Sequence, residues 1–269
     1  MTITLKHFPA GEQGFFRAPV LLSGARQAIL IDGGFTLADG RTVAAAIQAS
    51  GRELTTIYVS QSDPDYYFSL RPIREAFPEA RVIASEDTVA AITASVQKKL
   101  DAWGPKLGAN GPRTLSDVVL PIASNDRTLA LEEEEIEIVA ADGLTNRRFL
   151  WVPSLRAVVG GVLVFSGVHV WTADTQTPEQ RAAWIANLDA LAKRSPQIVI
   201  PGHLAEGAAC DASAISYTRE YLIAFEQELA TSADSGSLIA AMKRRYPQGG
   251  MGVALEIGAK VAKGEMKWG

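Results

Sequence analysis

Two kinds of apolar pattern alternate along this chain, and their alternation limits its architecture more than any other feature. Runs rich in β-branched residues, from Ala18 to Leu22, Gln27 to Ile31, Thr55 to Val59 and Arg81 to Ala84, have the length and composition of buried strands. Between them, Arg41 to Ser50 carries Val43, Ala46 and Ile47 at helical spacing, and Arg71 to Phe77 reads as a second helix. Ser85 opens a third, with Glu86 and Asp87 in its first turn. The second half repeats the pattern. Thr128 to Leu131 and Ile136 to Val139 read as paired strands around Glu132-Glu133-Glu134-Glu135, an acidic run expected to be a solvated turn. Arg148 to Val152, Ala157 to Val159 and Ile198 to Ile200 are further strands, and Val162 to Phe165 is a short strand or loop. Pro178 to Lys193 reads as a helix, with Thr177 as its cap and proline at the first helical position. Ala212 to Ala230, Ser235 to Arg245 and Ala254 to Val261 complete the chain as helices. Strands alternating with helices, together with hairpins, predict an α/β fold: an αββα sandwich of two mixed β-sheets with outer helices. The predicted division is a sandwich domain over 1–211 and a C-terminal helical extension over 212–269, packed on the same domain.

Composition narrows the function. With 269 residues, 47% of them hydrophobic, the chain can bury a full core. A net charge of -4 gives no electrostatic case for nucleic acid or for an anionic membrane. The single cysteine, Cys210, excludes an internal disulfide and fits a reducing compartment. No stretch approaches the roughly 20 apolar residues of a membrane span, and the N-terminus has no signal-peptide pattern. The expectation is a cytoplasmic globular protein.

The segment Ser60-Gln61-Ser62-Asp63-Pro64-Asp65-Tyr66-Tyr67-Phe68 follows a strand and leads into a helix. Four further turns share that position at strand ends: Asp32-Gly33-Gly34, Asp142-Gly143-Leu144-Thr145, Val159-Gly160-Gly161 and Pro201-Gly202-His203. In this order the five resemble the ligand turns of the metallo-β-lactamase superfamily. The resemblance covers the chain to about Ala212. It implies metal-assisted hydrolysis, in which one or two ions such as Zn²⁺ lower the pKa of a bound water. It also places Gln61, Asp63, Tyr66 and Leu144 where histidines are usual and Gly161 where an aspartate is usual, while Asp65 and His203 match. The motif is degenerate, and the resemblance does not support a two-zinc site.

What remains in that register is a reduced set. Asp63, Asp65 and His203 form a two-carboxylate, one-histidine group for at most one divalent ion, Zn, Fe or Mn. Asp63 doubles as candidate general base and Tyr66 as donor to a developing oxyanion. Gln61, His169 and Trp171 are candidate substrate contacts. Bland readings stand beside these: Asp63-Pro64 is a turn starter, and Asp65 suits a helix cap. Arg147 and Arg148 read either as partners for an anionic substrate or, the plainer reading, as solvated charges. Tyr66, Tyr67, Phe68, Trp103, Phe165 and Trp171 would make the cleft an apolar pocket if they converge. Three functions follow. One is a hydrolase of a small ester, lactone or thioester. Another is a catalytically inactive member that binds a small molecule or protein in the cleft. The last is a metal-independent acid–base enzyme. A homodimer through the C-terminal helices is a further expectation.

Overall fold

The computed structural model describes residues 3–268. Six strands form the first sheet in chain order: β1 (Thr4–His7), β2 (Val20–Ser23), β3 (Gln27–Ile31), β4 (Glu53–Tyr58), β5 (Arg81–Ser85) and β6 (Ile122–Ser124). The first two pairings are antiparallel, and those from β3 onward are parallel. Parallel neighbours need crossovers, which α1 (Leu37–Ser50), α2 (Leu70–Ala76) and α3 (Glu86–Leu107) supply. The second sheet contains β7 (Thr128–Leu131), β8 (Glu134–Ala140), β9 (Arg148–Val152), β10 (Ala157–Val159) and β12 (Ile198–Val199), ordered β12-β10-β9-β8-β7. A short parallel pair, β11 (Phe165–Ser166) with β13 (His203–Leu204), joins the loops beside it. Helices α4 (Pro178–Lys193), α5 (Ser213–Thr231), α6 (Ser235–Arg245) and α7 (Gly252–Ala262) complete the chain.

Strand alternation divides the core. On β3, Ile29 and Ile31 join Leu129, Leu131, Leu150 and Val152 of the other sheet. The intervening Ala28 and Leu30 pack under Val43, Ala44 and Ile47 of α1. Both faces of this strand are therefore apolar, as a sheet covered by helices on one side and a sheet on the other requires. The expected αββα sandwich is present. The C-terminal helices share the same core: Tyr221 and Phe225 of α5 cluster with Trp184 of α4 and Phe165 of β11.

Several boundaries differ from expectation for identifiable reasons. Helix α1 starts at Leu37 because Thr36 and Asp39 form a reciprocal capping box. Helix α3 runs to Leu107 with Pro105 inside it, so the Gly- and Pro-rich stretch from Gly104 to Pro121, which reads from sequence as a long irregular loop, begins as helix. The acidic run is no simple solvated turn. Glu134 and Glu135 belong to β8, and the Glu132 carboxylate accepts from the amides of Ala25, Arg26 and Gln27 at 3.2, 2.6 and 3.0 Å. It ties the β7–β8 turn to the β2–β3 turn. Among the described residues, no helix is long and apolar enough to cross a membrane.

Candidate functional site

The turns singled out in the sequence meet at one end of the two sheets. Asp32, just past β3, is fully buried in a left-handed conformation (φ 62°). Its Oδ1 accepts from the Ser60 amide at 2.7 Å, and its Oδ2 accepts from Ser60 Oγ at 2.8 Å. Ser60 Oγ in turn accepts from the Gly161 amide at 2.9 Å. One serine and one aspartate thus pin the ends of β3, β4 and β10 together.

Arg17 is the residue that the sequence did not signal. It lies before β2, is fully buried, and places its guanidinium in the middle of this cluster. Nη2 donates to Asp32 Oδ2 at 3.2 Å, and Nη1 donates to the Gly202 carbonyl. Nε lies 3.6 Å from Asp65 Oδ2, without a hydrogen bond. The guanidinium carbon stands 3.5 Å from the centre of the Tyr66 ring, a cation–π contact. A fixed positive charge therefore sits against Asp65 and beside His203, the two residues that match the resemblance.

His203 is buried, and its ring stacks on Phe165 with centroids 5.0 Å apart. Nδ1 lies 2.7 Å from the Phe15 carbonyl. A carbonyl can only accept, so Nδ1 carries the proton and Nε2 presents its lone pair 3.7 Å from Asp65 Oδ2. Burial, with Arg17 as a second cause, pushes the imidazole down to about 3, so it is neutral at pH 7. Burial pushes the Asp65 carboxyl the other way, up to about 7, against the pull of Arg17. Near neutrality Asp65 is therefore poised between its protonated and ionised forms, facing a neutral His203.

The other expected site residues are placed as follows. Asp63 turns to Lys99 of α3, with Nζ at 3.1 Å, and stays half-buried at the rim. The Tyr66 hydroxyl donates to the Gly161 carbonyl at 3.1 Å, so it is already engaged. Gln61 Oε1 accepts from the Ser62 amide at 2.6 Å and from Asn146 Nδ2 at 2.8 Å, an internal loop bond. His169 pairs through Nδ1 with the Tyr221 hydroxyl at 3.0 Å and packs under Gly249. Neither Gln61 nor His169 lines the cleft, whereas Trp171 does. Arg147 and Arg148 are buried, contrary to the expectation of solvated charges. Arg147 lies over the Trp184 ring and 3.9 Å from Asp174, and Arg148 clamps both oxygens of Asp87.

These residues do not fit a divalent ion. Leu144 is apolar and buried. Gly161 has φ 73°, and a Cβ on it would come within 1.7 Å of the Arg148 carbonyl, so no aspartate can stand there on this backbone. Among the described residues, no group of three or more His, Cys, Asp or Glu side chains is placed to hold a metal. A second cation would also be repelled by Arg17 in a buried, low-dielectric setting. The structure does not assemble Asp63, Asp65 and His203 into a ligand set.

Above this floor lies a cleft enclosing about 610 Å³ of space, part of it open to solvent. Phe15, Trp103, Trp171, Met251, Val253 and Trp268 wall it, while Asp63, Asp65, Lys99 and His203 supply its polar groups. Trp103 and Trp171 converge as expected, but Tyr67, Phe68 and Phe165 pack in the core. Trp268 stacks edge-on against Trp171 at 5.1 Å, and its Nε1 donates to Asp174 at 2.8 Å. The walls from α7 and residue 268 lie outside every recognised motif, so only amphipathic spacing could have flagged them.

No protein-family model matches the sequence, and no curated protein matches it. Solved structures do. A metallo-beta-lactamase family protein from Thermus thermophilus superposes with a TM-score of 0.60 over 94% of this chain and 91% of its own, at 16% identity. A metallo-beta-lactamase from Pontibacter korlensis gives a TM-score of 0.55 over 77% and 87%, at 18% identity. The DIM-1 metallo-beta-lactamase gives 0.52 over 82% and 92%, at 17% identity. The chain has the metallo-β-lactamase fold, as the resemblance of its turns implied.

Proposed function

We propose that this protein is a metal-independent binder of a small molecule, using the cleft above Asp65 and His203. The observation that carries this reading is Arg17. Its buried guanidinium supplies a permanent positive charge among Asp32, Asp65 and Tyr66, where an exchangeable cation would have to sit. The cleft has the common form of a ligand site, apolar walls with a few convergent polar groups. Elemental analysis of protein purified without chelator, before and after incubation with excess zinc or manganese, tests it together with titration of apolar probes followed by tryptophan fluorescence. The expected result is no stoichiometric metal and saturable one-to-one quenching. One equivalent of retained metal would overturn the metal-independent reading.

A second reading has its own support. Asp65 Oδ2 and His203 Nε2 are 3.7 Å apart, and the carboxyl is pushed up to about 7, a value suited to proton transfer at neutral pH. In that reading the pair acts on a small ester or lactone without a metal. Turnover of a nitrophenyl ester that Asp65→Asn abolishes would establish it, and its absence leaves the binding reading.

A further inference from the structure

The cleft does not end at its back wall. A second hollow, about 590 Å³ counting space open to solvent, adjoins it; Glu12 and Lys106 line it on one side, and Phe15, Trp103, Met251 and Val253 line both spaces. These four side chains form a thin apolar partition with space on each side. Two of the four are held in an unusual backbone state, Phe15 with φ of 54° and Met251 with φ of 59°. Bulky residues seldom adopt that region, and such conformations concentrate at ligand sites. Phe15 is further fixed by its carbonyl, which accepts from His203, and by edge-on contact with Trp103 at 5.2 Å.

The floor of the cleft sets the head group. Each of its two carboxylates already faces a cation: Asp63 meets Lys99 at 3.1 Å and Asp65 meets Arg17 at 3.6 Å. His203 is neutral. A charged head would lose its hydration against a floor with no unmatched charge to receive it. An uncharged hydroxyl, amide or ester can bond to Asp65 or His203 Nε2 without that penalty.

We propose that the ligand is an uncharged molecule with one unbranched apolar tail, its head at Asp65 and His203 and its tail passing Phe15 and Met251 into the adjoining cavity. This rests on reading the cleft as a ligand site. The test titrates the full chain with 1-hexanol, 1-decanol, decanoate and decyltrimethylammonium, following tryptophan fluorescence and heat. Affinity tightens about fourfold per added methylene, hence roughly two hundredfold from hexanol to decanol. Both charged probes bind at least tenfold more weakly than decanol, a margin set by the cost of stripping their water. A Cβ on Gly252, which lines only the second cavity, meets nothing within 4 Å, so Gly252→Phe fills that space without disturbing the fold. This variant brings decanol down to the hexanol level and leaves hexanol unchanged. Equal affinity for hexanol and decanol, tightest binding of either charged probe, or decanol binding unaffected by Gly252→Phe would each overturn the proposal while the cleft reading stands. Saturable binding of no probe at all would remove the cleft reading itself, and this inference with it.

Discussion

Replacing Arg17 by methionine keeps most of its length and apolar stem and removes only the guanidinium. The side chain is fully buried, so the change leaves Asp32 without one of its hydrogen-bond donors, the Gly202 carbonyl without its donor, and Asp65 without its nearest cation. Breaking a buried charge pair by removing one partner costs about 3–5 kcal/mol. For a chain of this size that lowers Tm by roughly 6–20 °C. The comparison is Arg219→Ala, whose ion pair with Asp189 is 41% and 45% exposed and contributes about 0–1 kcal/mol. The loss also depends on pH. Burial already raises the carboxyls of Asp32 and Asp65, and without Arg17 they rise further. A carboxyl raised on folding makes the native state bind more protons than the unfolded one, so stability falls as pH rises. The deficit of Arg17→Met is accordingly larger at pH 8 than at pH 5. Thermal melts and urea unfolding of both variants at the two pH values check this. A Tm loss no larger than that of Arg219→Ala would refute the account of Arg17 as the cation that organises the site.

Other consequences can be measured on the same protein. Asp65 alone makes stability fall as pH rises from about 4 to 7, whereas His203, lowered to about 3, makes it rise from about 3 to 6.5. The two offset, so Asp65→Asn exposes the histidine slope, up to about 1.4 kcal/mol per pH unit, in urea unfolding across that range. A flat profile in that variant would contradict the assignment of a neutral buried His203. Gly161→Asp introduces the aspartate that the resemblance expects at that turn yet brings Cβ against the Arg148 carbonyl, so it destabilises by on the order of 4 kcal/mol or more and does not confer metal binding, as melts with and without zinc will show. Glu132→Ala lowers Tm at pH 7 by removing the acceptor of three amides. Because those bonds hold the carboxyl below its usual range, the difference shrinks as the pH falls below the ordinary carboxylate range and Glu132 takes up its proton.

Much of the fold was legible because its signals are local. Strand and helix patterning located β3, β7, β9, β10 and α4 at their observed limits, since apolar periodicity and the Thr177-Pro178 start are properties of a few neighbouring residues. β1 escaped notice because its four residues alternate exposed and half-buried and carry no buried core position. The site was legible only as a set of turns. Asp65 and His203 do face each other, but what governs their chemistry is Arg17, which sits 48 residues before Asp65 in a segment with no motif. Gln61 and His169 failed to reach the cleft because nearby partners, Asn146 and Tyr221, claim their polar atoms. Charge pairing between distant segments leaves no periodic trace in a sequence. The same blindness hid Arg147 and Arg148, whose partners lie on other elements.

The walls of the cleft come from opposite ends of the chain, with Phe15 and Trp103 made early and Met251 and Trp268 late. At ribosomal speeds of about 5–20 residues per second, roughly 7–30 s separate the synthesis of residue 103 from that of residue 251. During that interval the first sheet can fold, while Phe15 and Trp103 lack their covering partners. This aromatic face is therefore open to chaperones and to wrong contacts until the C-terminal segment covers it.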